Sequence, residues 1–156
     1  EMPSWYDILA IAPGKRSINS EQLEASTQQL ISLMEQQRDS GISPTRLFLA
    51  GFSQGGAVVL HTAFLRWNEP LGGVMALSTY APTFEHVNRL SPLQSRTPTL
   101  CMHGVNDPVV PLAMGQAVQQ QLDTWGVPVT WHDYPMEHAV CQEQITDIGN
   151  WLSAQL

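Results

Sequence analysis

Three stretches of the chain, residues 46–52, 73–78 and 99–104, are near-continuously apolar and end in turn residues. Unbroken apolar runs of this length predict strands of a parallel sheet covered on both faces. A fourth stretch, 127–134, alternates apolar and polar positions, and Pro128 within it suits a sheet edge. Helical periods lie between these stretches. Leu23, Leu30, Ile31 and Met34 share one face of a helix that opens at the N-cap pair Asn19-Ser20 and stops at Ser40-Gly41. Residues 53–66 predict a second helix, buried at Val58, Val59, Leu60 and Phe64, and 113–125 a third, closed by Gly126. Ile145, Ile148 and Leu152 mark an amphipathic helix at the C-terminus.

This alternation of strands and helices predicts right-handed βαβ units. The expected architecture is α/β, a three-layer α/β/α sandwich around a mostly parallel sheet. Residues 1–156 read as one domain. The irregular stretch 82–98, with Ser91-Pro92 and Thr97-Pro98, predicts a surface excursion near a site.

Composition narrows the partners. The formal net charge is −7, and only seven Lys and Arg are scattered along the chain, so the clustered cations that neutralise phosphates are missing. No apolar run approaches the roughly 20 residues of a membrane span. A small neutral or weakly polar molecule is the expected partner, met in the cytoplasm. Cys101 falls inside an apolar strand, and with Cys141 it reads as a free thiol rather than half of a disulfide. Neither cysteine has metal-ligand spacing.

Gly51-Phe52-Ser53-Gln54-Gly55 is a G-x-S-x-G pentapeptide, followed by Gly56. By average Gly and Ser usage such a pattern arises by chance in about one chain of this length in twenty. Its place between a predicted strand and a predicted helix is therefore what matters, because a nucleophile elbow belongs there. The turn at Ser53 is expected to leave no room for side chains at Gly51 and Gly55. It would also aim the helix N-terminus at a reacting carbonyl, with the Gln54 N–H as one donor to the developing oxyanion.

A serine hydroxyl needs a base, and in this fold type the chain order is Ser, acid, His. Of the five histidines, His61 lies on the elbow helix, His86 in the irregular stretch, His103 at a strand end and His132 inside the edge strand. His138 follows the last strand, at the carboxyl edge of the sheet where such sites form. Asp107, in the loop that leaves the third strand at that same edge, is placed to accept the His138 Nδ1 proton. A turn-forming Asp before Pro108 is the lesser alternative for that residue.

Gly51-Phe52-Ser53-Gln54-Gly55-Gly56, the run from His103-Gly104 through Asn106-Asp107-Pro108-Val109-Val110-Pro111, and Tyr134-x-Met136-x-His138 together resemble the carboxylesterase and acyl-protein thioesterase family of α/β-hydrolases. The segments 2–7 and 76–82 look most like small bacterial carboxylesterases of pseudomonad type. The resemblance spans the whole chain. It implies a cofactor-free serine hydrolase of short-chain carboxylic esters, with Ser53 as nucleophile, Asp107 as acid and His138 as base. Acyl-protein thioesterase and lysophospholipase activities are the alternatives among relatives.

Family members ordinarily begin earlier, with a strand ending in His-Gly-Leu-Gly whose loop supplies the second oxyanion donor, and nothing in this chain matches it. A weakly active or non-catalytic fragment is thus a further alternative. Without the strands that flank the nucleophile strand, the sheet would expose an apolar edge, which a second copy of the chain would cover. Trp5 lies in a segment that resembles the substrate side of the family, with core packing as the alternative, and Tyr80 and Phe84 follow the second strand as candidate acyl-pocket residues, with an apolar surface patch as the alternative. Glu137 stands beside the candidate base. A carboxylate there would favour the protonated imidazole, whereas a side chain turned to solvent would do nothing.

Overall fold

The computed structural model describes residues 3–12 and 15–156. In chain order its elements are β1 (Ile8–Ala12), β2 (Lys15–Ile18), α1 (Ser20–Asp39), β3 (Phe48–Phe52), α2 (Gln54–His61), β4 (Gly73–Leu77), β5 (Thr99–Gly104), α3 (Leu112–Thr124), β6 (Val129–Tyr134) and α4 (Gln142–Gln155). The apolar runs do pair in parallel, in the order β3-β4-β5-β6. Their registers bring the carboxyl ends level, Phe52 beside Leu77, Leu77 beside Met102, and Gly104 beside Tyr134.

Successive side chains on a strand point to opposite faces, and here the alternation sorts two cores. Leu49, Val74, Ala76 and Cys101 join Val59, Leu60 and Phe64 of the α2 segment and Val118 and Leu122 of α3. Met75, Leu100 and Met102 pack instead with Trp151, Ile148 and Leu152 of α4. Those are the three expected layers. Burial holds the Cys101 thiol well above its usual range, at about 12, and both cysteines are free.

Asn19 caps α1, its side-chain oxygen accepting the Gln22 N–H at 3.0 Å. The second helix differs from the sequence reading. It is α-helical only to His61 and continues through Thr62–Arg66 as a π turn, where Thr62 donates its hydroxyl to the Val58 carbonyl and Trp67 N bonds Thr62 O. The stretch 82–98 is not a free excursion. Phe84 packs between Phe64 and Trp125, and Gln94 donates to the Trp67 carbonyl at 2.9 Å.

Two margins of the sheet carry no further strand among the described residues. Pro128 lies just before β6 and offers its carbonyl to Thr99 N, in keeping with an edge. At the other margin β3, the strand that leads into Ser53, pairs only with β4 among the described strands. The antiparallel pairing of β1 with β2 was not read from the sequence. No helix among the described residues is long and apolar enough to cross a membrane.

Candidate active site

β3 ends at Phe52, and the chain turns at once into α2 through Ser53, which holds φ 54° and ψ −119°. A non-glycine residue in such a conformation costs on the order of 1–3 kcal/mol and persists only where its surroundings hold it. Ser53 N bonds the Leu77 carbonyl at 2.9 Å, and Ser53 O accepts Ala57 N at 3.2 Å. Gly51 is obligatory, since a Cβ there would lie 2.2 Å from the Gly55 carbonyl oxygen.

Gly55, contrary to expectation, has room for a side chain. A Cβ at Gly55 would meet only Trp5 Nε1, at an ordinary 3.5 Å. The second glycine that packing demands is Gly56, whose Cβ would overlap the Thr79 side chain at 2.5 Å. The Gln54 N–H stands at the first position of α2, one of the helix-start donors without an intrahelical acceptor. Its side chain reaches elsewhere, donating to the Tyr6 carbonyl at 3.0 Å.

The candidate acid and base meet at the carboxyl edge. His138 Nδ1 donates to Asp107 Oδ2 at 2.7 Å, while Asp107 Oδ1 accepts the Val109 and Val110 amides, each at 2.8 Å. With its Nδ1 proton committed to the carboxylate, the neutral ring has its lone pair at Nε2. Burial alone would raise the Asp107 pKa, but the hydrogen bonds from His138 and from the two amides outweigh it and hold the carboxyl below its usual range.

The two loops are tied together. Val105 N bonds Tyr134 O at 2.9 Å, Asn106 N bonds Met136 O at 3.1 Å, and a Cβ at Gly104 would strike the Glu137 carbonyl at 2.2 Å. The His138 ring lies 4.6 Å from the ring of Phe52, the residue before Ser53. Ser53 Oγ makes no hydrogen bond among the described residues, so the expected bond between Ser53 and His138 is not formed. Such bonds commonly tighten only with substrate in place.

The other histidines have separate employment. His103 is buried and donates Nε2–H to the Val110 carbonyl at 2.7 Å, clamping the loop that presents Asp107. His61 is buried between Thr83 Oγ1 and Glu24 Oε1, each at 2.8 Å, and Glu24 also pairs with Arg66. Burial lowers the His61 pKa despite that carboxylate. Glu137 is exposed and forms no ion pair among the described residues.

The remaining candidates divide. Trp5 is half exposed and lies beside Gly55 at the start of α2, with its carbonyl held by the Ser26 hydroxyl. Tyr80 is buried, its hydroxyl 2.5 Å from that of Tyr6. Phe84 is not brought to this edge and belongs to the core beside Trp125. His103 bonds local backbone, as its place at a strand end led one to expect, whereas the contact of Thr79 with Ser53, 26 residues away, left no signal in the sequence.

The sequence profile described as phospholipase/carboxylesterase matches residues 1–156. The chain is 34% identical to acyl-protein thioesterase 1 of Gibberella zeae, an alignment that covers 99% of this chain and 69% of that protein. Arabidopsis thaliana SOBER1 superposes with a TM-score of 0.86 at 25% identity, over 97% of this chain and 73% of that one. The Bacillus cereus carboxylesterase shares the fold, with a TM-score of 0.79 at 18% identity, over 97% of this chain and 68% of that one.

Proposed function

The chain belongs to the phospholipase/carboxylesterase family of ester-hydrolysing α/β-hydrolases, and from that premise we propose that it is a serine carboxylesterase acting on short-chain carboxylic esters. Ser53 attacks the ester carbonyl as His138 Nε2 takes its proton. Asp107 keeps the imidazole in the required tautomer and stabilises the imidazolium. The alcohol leaves with that proton, and water then hydrolyses the acyl-enzyme by the same route. The Gln54 amide donates to the oxyanion, a contribution of about 2.7–4 kcal/mol to the barrier. Trp5 flanks the substrate at the start of α2. No cofactor takes part.

The observation that supports this reading most is the 2.7 Å bond from His138 Nδ1 to Asp107 at the sheet edge that also holds the strained Ser53. A second reading, acyl thioester hydrolysis, uses the same residues and is favoured by the thioesterase naming of the Gibberella zeae relative. The open margin of β3 is where a second copy of the chain would add its own strand. A mass of 17.3 kDa by light scattering would dispose of that pairing.

The test compares p-nitrophenyl butyrate hydrolysis by the chain with that by Ser53→Ala. Turnover that vanishes in the variant supports the reading. Equal turnover from both refutes it. A folded chain that reacts stoichiometrically but turns over feebly would mark an incomplete oxyanion site.

A further inference from the structure

Among the described residues only Ser53 and Ser78 are non-glycine residues with positive φ, 54° and 50°. They sit at the carboxyl ends of the neighbouring strands β3 and β4, and Ser53 is hydrogen-bonded to both residues that flank Ser78. Ser53 N bonds the Leu77 carbonyl at 2.9 Å, and in return Thr79 Oγ1 donates to the Ser53 carbonyl at 2.6 Å. Ser78 is wholly buried, with a hydroxyl that has no partner among the described residues. Strain and an unpaired buried group at one position need compensation nearby. What the bend at Ser78 achieves is to carry Thr79 onto the elbow, into the space that a Cβ at Gly56 would fill.

The carbonyl that Thr79 holds has a second end. The peptide between Ser53 and Gln54 is planar, so the direction of its C=O fixes the direction of its N–H. The Ser53 oxygen takes both Thr79 Oγ1 at 2.6 Å and Ala57 N at 3.2 Å. Two donors on one carbonyl leave that plane little freedom, and polarising the C=O strengthens the N–H as a donor. That N–H belongs to Gln54.

We propose that Thr79 is a positioning residue for the reaction, its hydroxyl orienting the Gln54 amide towards the oxyanion through the shared peptide plane. This rests on reading Ser53 as nucleophile and the Gln54 amide as oxyanion donor. It also gives Gly56, the glycine just past the pentapeptide, a reason: its missing side chain is the seat of Thr79. Because the oxyanion exists only in the transition state, loss of the hydroxyl should slow the chemical step and leave ground-state binding alone.

The test is the rate at which a fluorophosphonate labels the full chain, split into kinact and KI, with Ser53→Ala as control. Thr79→Val keeps the shape and removes the hydroxyl. Its kinact is expected to fall about tenfold, the usual scale for one buried hydrogen bond, with KI unchanged within about twofold. Thr79→Ser should restore most of the rate, to within about threefold of the unaltered chain. Should Val disturb the fold, Thr79→Ser against Thr79→Ala carries the same contrast, since both lose the methyl and differ by the hydroxyl alone.

An unchanged kinact in Thr79→Val, a Ser variant as slow as Val or Ala, or a loss residing in KI overturns the inference while leaving the triad untouched. Labelling that persists in Ser53→Ala, or no labelling of the unaltered chain, overturns the triad reading and this inference with it.

Discussion

Replacing Asp107 by Asn keeps the shape of the site and reverses one hydrogen bond. Asp107 Oδ1 accepts two backbone amides at 2.8 Å, and Oδ2 accepts His138 Nδ1–H at 2.7 Å. A carboxamide offers an acceptor on one arm and donors on the other. Turning its NH₂ towards Val109 and Val110 would leave buried donors facing donors, at about 1–3 kcal/mol for each unmade bond. The carbonyl therefore stays on the amides, and the NH₂ faces His138. Nδ1 can then only accept, the ring proton moves to Nε2, and no lone pair remains there for the Ser53 proton. We expect kcat to fall about 10³–10⁴-fold, with KM changed only a few-fold. Initial rates on p-nitrophenyl butyrate read the effect, with near-UV circular dichroism to verify folding. A folded variant that keeps more than about a tenth of the kcat would refute the tautomer reasoning.

Other consequences follow from the same contacts. Gly51→Ala should lower the thermal midpoint sharply because its Cβ overlaps backbone at 2.2 Å, whereas Gly55→Ala, meeting only Trp5 at 3.5 Å, should leave it within a few degrees. Differential scanning calorimetry separates them, and equal losses would contradict the elbow packing. Glu137→Gly should move the acid limb of the activity profile by less than about half a unit, since an exposed carboxylate without an ion pair is screened. A larger movement towards acid would mean that Glu137 does favour the imidazolium. His61 is held below its ordinary value of 6.5 by burial, so the unfolded chain binds the proton first as pH falls. The stability it contributes is present above that value and is lost as pH drops through the lower folded value. Urea midpoints between pH 7 and pH 5 should therefore decline less steeply in His61→Gln than in the unaltered chain.

Much of the fold was legible because the relevant signals are local. Continuous apolar runs at 46–52, 73–78 and 99–104 announced buried parallel strands, and the alternation at 127–134 announced the edge. The elbow was legible because Gly51 and Ser53 obey a constraint contained within a few residues. His138 and Asp107 followed from chain order and strand ends, and the structure joins those two at 2.7 Å. What escaped was set across the chain. Gly56 answers to Thr79, and Phe84 answers to Phe64 and Trp125. No spacing rule reports a contact that only the folded sheet creates. The pair β1–β2 escaped for another reason: Lys15-Arg16-Ser17-Ile18 is neither a continuous apolar run nor long enough to show an alternation.

Covalent capture of the nucleophile shows whether Ser53 is the residue that attacks. The chain would be reacted with a fluorophosphonate at neutral pH and digested, and the labelled peptide sequenced by mass spectrometry, with Asp107→Asn and Ser53→Ala treated alike. Stoichiometric label on Ser53, much slower in Asp107→Asn and absent from Ser53→Ala, is the expected result. Label on another residue, or undiminished ester hydrolysis by Ser53→Ala, would contradict it.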